Sequence, residues 1–114
     1  MEEPFTLLFD GASIQSEADF HDEVRHQSGI DWYGANLDAL DDTLITLIPC
    51  AYGRFRIEWR NCDKSMPRER QRYLMIVGLM KEAEAQFPDR IIEFKMTFSE
   101  PYFDEGQDSF LSEP

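Results

Sequence analysis

Three aspartates, Asp38, Asp41 and Asp42, fall in a short stretch whose other residues repeat at helical spacing. Residues three or four apart meet on one helix face, so these carboxylates share a surface. Two kinds of chemistry suit them. They can offer oxygen ligands to a cation such as Mg²⁺, or accept charge-assisted hydrogen bonds from arginine and lysine of another molecule. A third reading is simply a solvated acidic face, and a chain with 23 Asp and Glu residues makes that the starting point.

Energetics separate the three. Each like-charge pair at these spacings costs roughly 0.2–0.5 kcal/mol, and aspartate is a mediocre helix former. Asp38 gains from the helix N-terminus, but Asp41 and Asp42 lie beyond the first turn, where that benefit fades. No lysine or arginine occurs between Gln27 and Gly53 to offset them. Ile45 falls among the aspartates, and carboxylates around an apolar residue suit a contact surface better than a solubilising one. Trp32 and Tyr33 precede the helix and extend that surface with aromatic anchors. A dedicated metal site draws ligands from a second element, and no second Asp-rich motif exists, so no metal and no cofactor is expected.

The catalytic alternatives are weaker. His21 and His26 are five residues apart, on different helix faces. Neither a glycine-rich phosphate loop nor a GxSxG nucleophile motif is present. Cys50 follows a helix and Cys62 a strand. They form no CxxC pair and read as reduced, partly buried thiols. No catalytic residue is assigned, and the chain is read as a binding protein, not an enzyme.

The elements that must position this face follow from the pattern. Phe5 to Phe9 is a strand ending at Asp10-Gly11. Ser16-Glu17-Ala18-Asp19 starts a helix in capping-box fashion. Phe20, Val24 and His21 face inward, and Ser28-Gly29 ends the helix. Asn36 caps the next helix, expected to stop near Leu47 because Pro49 follows. Leu37, Leu40, Leu44, Leu47 and Ile48 form its inward stripe, with Thr43 and Thr46 further round. Arg54 to Trp59 and Ile91 to Thr97 are further strands. Pro67 sits at the start of the longest helix, Arg68 to about Gln86, whose inward side carries Tyr73, Val77, Met80 and Glu84. Strands alternating with helices imply a small α/β domain, a three-stranded parallel sheet whose faces the helices cover. Residues 1–98 make that domain, and 99–114 read as a weakly ordered acidic tail.

Composition bounds the partner. The 114 residues suit one domain, and 42% hydrophobic residues supply a modest core. The net charge of -12 repels nucleic acid and anionic membranes, so the expected partner is a cationic protein. The N-terminus lacks the basic and apolar stretches of a secretory signal, and a cytoplasmic protein, monomeric when free, is expected.

The run Trp32-Tyr33-Gly34-Ala35-Asn36-Leu37-Asp38-Ala39-Leu40-Asp41-Asp42-Thr43-Leu44 resembles the barstar family of ribonuclease inhibitors. The likeness continues at Ile57-Glu58-Trp59-Arg60 and Lys81-Glu82-Ala83, and covers about residues 5 to 97. It implies the small α/β fold reached above. It also implies that the loop and acidic helix lie across the active site of a basic microbial ribonuclease, one carboxylate standing in for a substrate phosphate. On that resemblance Asp42 enters the phosphate site, Asp38 and Glu82 are further acidic contacts, and Trp32 is an aromatic contact where Tyr is usual. Gly34, Asn36, Leu37 and Leu40 shape the loop and seat the helix. Asp41 stands where a Trp is common, and Ile45-Thr46 replace a Thr-Gly pair. Such a protein would serve in an immunity role. The alternative is an acidic interaction module that uses the same face on another basic partner without inhibiting a ribonuclease.

Overall fold

Three short runs of β-formers pair side by side as β1 (Phe5–Asp10), β2 (Phe55–Arg60) and β3 (Ile91–Met96), all parallel, with β2 in the centre. The structure, a computed structural model, describes residues 3–99. Of the expected tail, residues 99–114, Ser99 is tied to the domain, its amide and hydroxyl donating to the Asp63 carboxylate at 2.8 and 2.6 Å; the rest lies outside the described residues.

Successive side chains of a strand point to opposite faces. Register therefore stacks Phe5, Phe55 and Ile91, then Leu7, Ile57 and Phe94, then Phe9, Trp59 and Met96 in rows on one face. Leu7, Phe9, Phe55, Ile57 and Trp59 are wholly buried there. The opposite face carries Thr6, Arg56 and Glu93, then Leu8, Glu58 and Lys95. Leu8, Glu93 and Lys95 are exposed. The helices thus cover one face of the sheet, not both as expected. The strands show the polar alternation of a half-solvated sheet, although parallel sheets are usually covered on both sides. A bulge makes this possible in β3: Phe55 pairs with Ile91 but Arg56 with Glu93, and the extra residue Ile92 re-aims Phe94 inward.

Helix α1 (Glu17–Ser28) starts as its sequence dictates. Ser16 Oγ accepts from the Asp19 amide at 3.1 Å, while Asp19 reaches back to the Gln15 amide at 3.0 Å. Gly29 ends it at φ 72°, a left-handed position that costs glycine nothing. Phe20, His21 and Val24 are buried. From the same helix Gln27 satisfies both backbone groups of Leu8, accepting from its amide at 2.7 Å and donating to its carbonyl. That covers part of the exposed edge of β1, where another strand would otherwise add.

The next segment departs from expectation. Helix α2 (Leu37–Asp42) does not stop before Pro49: it passes through a π-helical turn (Thr43–Leu47) into α3 (Ile48–Tyr52). Proline lacks the amide that would bond the Ile45 carbonyl four residues back. The Arg90 guanidinium donates to that carbonyl at 2.8 Å, so the missing donor is replaced from outside the helix. The wider turn also shifts the buried stripe. Leu40, Leu44 and Ile48 are wholly buried, Thr43 joins them, and Leu37 and Leu47 are only half-buried.

Helix α4 runs Arg70–Gln86, and Pro67 lies in a turn before it instead of at its first position. The chain turns there because Met66, at φ 47°, is fully buried and its amide donates to the Ile14 carbonyl at 2.8 Å. Tyr73, Ile76, Val77, Met80 and Ala83 form its buried side. Glu84, expected on that side, is half-buried and accepts from the Phe94 amide at 3.0 Å.

Trp59 is the centre of the core. Phe20 stacks on it with ring centroids 5.3 Å apart, Tyr73 meets it edge-on at 5.3 Å, and its indole N–H donates to Ser65 Oγ at 2.8 Å. A buried indole needs such a partner. Cys62 is buried beside it, and burial pushes the thiol up to about 11, an inert group. Cys50 is exposed within α3. No helix among the described residues is long and apolar enough to cross a membrane.

Candidate functional site

Asn36 fixes where the acidic helix begins. Its side chain accepts from the Ala39 amide at 2.8 Å, and its carbonyl accepts from the Leu40 amide at 2.9 Å. The entry is tight. Ala35 holds a left-handed φ of 57°, which costs a residue with a Cβ about 1 kcal/mol. A Cβ on Gly34 would sit 3.2 Å from the Ala39 methyl, so only glycine passes there without a shift. Asn36 and Gly34 therefore act on backbone shape.

From that start, burial of Leu40, Leu44 and Ile48 turns Asp38, Asp41 and Asp42 outward, and all three are exposed. Among the described residues, none of the three carboxylates is in an ion pair. Nor do any three His, Cys, Asp or Glu side chains among the described residues group so as to hold a metal ion. The preparation lies in the backbone: the cap, the buried stripe and Arg90 beneath the π turn fix the helix, and the carboxylates ride on it.

Asp41, Ile45 and Glu82 come together in one cleft. It has a volume of about 310 Å³ between α2 and α4, with Leu79, Ala83 and Phe87 completing the apolar lining. Ile45 is half-buried against the core, so the apolar patch it offers is smaller than an exposed residue would give. The Glu82 carboxylate is exposed and accepts from Gln86 at 2.8 Å. Two carboxylates beside an apolar lining suit a side chain with an aliphatic stem and a cationic head.

The two aromatic residues separate. Trp32 is 73% exposed, and Tyr33 is 5% exposed. Tyr33 is therefore not a surface anchor. Its hydroxyl lies 2.5 Å from His21 Nδ1, and burial first, then the nearby Glu17 charge, raises its phenol above the ordinary range. It stays protonated at any physiological pH. His21 is buried, as its helical spacing predicts, but its bond to Tyr33 was not foreseen; Thr43 was expected further round and is buried with the leucine stripe; Arg90 was not singled out at all. Pro49 inside a helical pattern was the signal for an outside donor, but nothing in the sequence names Arg90 as that donor.

The family described as Barstar (barnase inhibitor) matches residues 5–99, which hold all the strands and helices of the described residues. Among curated proteins, none matches the chain. With nearly the whole described domain covered by that match, the chain belongs to the barstar family.

Proposed function

We propose that this protein inhibits a basic microbial ribonuclease by laying the Trp32–Ile45 loop and helix across the enzyme's cationic cleft. The observation that carries the proposal is the exposed face of Asp38, Asp41 and Asp42. The fold spends a cap, a strained loop and an outside donor on holding this helix, yet leaves its carboxylates without internal partners. A ribonuclease must bind a polyanion, so its cleft carries arginine, lysine and histidine. Carboxylates held in place beforehand meet those groups with charge-assisted hydrogen bonds at low ordering cost. Asp42 takes the place of the substrate phosphate, and Asp38 flanks it. Trp32 supplies an aromatic contact, and the cleft between Asp41 and Glu82 receives one long cationic side chain from the enzyme. The net charge of -12 speeds the encounter. Such an inhibitor acts as a monomer in the cytoplasm, where a leaked ribonuclease does its damage.

The decisive experiment is a titration of RNA cleavage by a barnase-type enzyme with the full chain. Inhibition should be complete at one inhibitor per enzyme, with association slowing as salt is raised. Binding without loss of cleavage would instead establish an acidic interaction module on the same face, and no binding would remove the proposal.

A further inference from the structure

Four side chains, Arg72, Glu17, His21 and Tyr33, form a hydrogen-bonded line that ends at the residue next to the exposed Trp32. Arg72, near the start of α4, grips Glu17 with Nε to Oε1 at 2.7 Å and Nη2 to Oε2 at 3.1 Å. Glu17 Oε2 lies 3.0 Å from His21 Nε2, and His21 Nδ1 lies 2.5 Å from the Tyr33 hydroxyl. The line crosses from α4 through the first turns of α1 to the loop before α2. It is locked at its base, since the Glu69 carboxylate also accepts from the Glu17 amide at 2.7 Å.

Roles along the line follow from the inventory of donors and acceptors. A carboxylate that binds arginine can only accept, so His21 Nε2 carries the hydrogen that faces Glu17. In the neutral ring Nδ1 is then an acceptor, and it is the atom facing the Tyr33 hydroxyl. One end of the imidazole sets the other. His21 is 3% exposed and Tyr33 5%, and burying these polar groups is tolerable only while each has its partner. Apolar side chains would fill the same space without fixing a direction. Hydrogen bonds fix the Tyr33 ring at its tip, and with it the backbone between Ile30 and Asn36. That stretch carries the Tyr33 amide to Ile30 carbonyl bond at 3.2 Å and the left-handed Ala35.

We propose that His21 is a positioning residue for the binding loop: through Tyr33 it holds the loop that presents Trp32 and starts the acidic helix. The consequence for inhibition rests on the proposed function, but the effect on the loop does not. The test begins without any ribonuclease. In Tyr33→Phe, which removes one oxygen, amide hydrogen exchange at Tyr33 and Ala39 should speed up about tenfold, while Ile76, Val77 and Met80 in α4 keep their wild-type rates. His21→Gln should do the same, and Glu17→Gln should show a smaller change in the same amides. Unchanged loop exchange, or acceleration shared equally by α4, would overturn the proposal, because the line would then serve general stability only. The second arm uses the enzyme. Tyr33→Phe should weaken inhibition about tenfold in the wild-type background and less than threefold in Trp32→Ala, since the contact being positioned is then gone. Equal losses in both backgrounds would also overturn it. A wild-type protein that inhibits nothing would remove the ribonuclease reading while leaving the exchange result to stand alone.

Discussion

Two groups of carboxylates lie on neighbouring elements and lead opposite lives. Glu17, on the first turn of α1, is held by two of the Arg72 nitrogens and by His21, and the Arg72 hydrogen bonds above all pull its carboxyl down to about 2. Asp38, Asp41 and Asp42, on α2, have no cation within ion-pair distance among the described residues. The first carboxylate is consumed by the fold. The others are kept available, and the fold pays for their placement through backbone and core instead. Charge count alone does not separate them; the geometry around each oxygen does.

Exchanging the two roles is the strongest way to break this contrast. Asp42→Ala removes a group that meets its partners only in the complex. The expected loss is about 2–5 kcal/mol of binding, the range for truncating one member of a desolvated charge pair, or a rise in Kd of about 30-fold or more. Its thermal midpoint should stay within a few degrees of wild type. Glu17→Ala should show the reverse, with a lower midpoint and a much smaller change in Kd. Kinetic binding and thermal unfolding on the same two variants check both halves. Equal effects on both readouts would erase the distinction.

Acid sharpens it. The Glu17 carboxyl titrates near 2 when folded and near its ordinary 4.5 when unfolded. The unfolded chain therefore takes up this proton first as pH falls. The stability Glu17 contributes is complete above about pH 5 and is lost progressively between about 4.5 and 2. The pair is partly exposed, so roughly 1 kcal/mol is expected. Denaturant unfolding of wild type and Glu17→Gln should differ by about that amount at pH 6 and converge near pH 2. A constant gap would show that Glu17 acts through packing and not through its charge.

Much of this contrast was legible in the sequence because it depends on local rules. Helical spacing placed Asp38, Asp41 and Asp42 together, Asn36 announced the cap, and strands alternating with helices along the chain implied a parallel three-stranded α/β fold. What stayed hidden depends on residues distant in sequence. Pro49 signalled the end of a helix, and the helix continued because Arg90, 45 residues from Ile45, donates to the freed carbonyl. Tyr33 looked like a surface anchor beside Trp32, but it is buried, with its hydroxyl turned to His21 on α1. The uncovered face of the sheet was hidden for a similar reason: alternation in β2 and the bulge in β3 become informative once register is known.

The smallest effect is the most pointed one. If the acidic face is held against the interest of stability, removing part of it should stabilise the free protein. Asp41→Ala deletes the like-charge neighbour of Asp38 three residues away, worth roughly 0.2–0.5 kcal/mol. It also replaces a mediocre helix former by the best one, worth up to about 0.7 kcal/mol in a helix interior. Asp41 is exposed and makes no side-chain bond among the described residues, so little opposes that gain. Stability should rise by about 0.5–1 kcal/mol, a few degrees in the thermal midpoint for a domain of this size. Inhibition should weaken, because the cleft it shares with Glu82 keeps only one carboxylate. A variant that is both more stable and an equal or better inhibitor would mean that Asp41 belongs to the solvated surface, and the contact face would shrink to Asp38, Asp42 and Trp32.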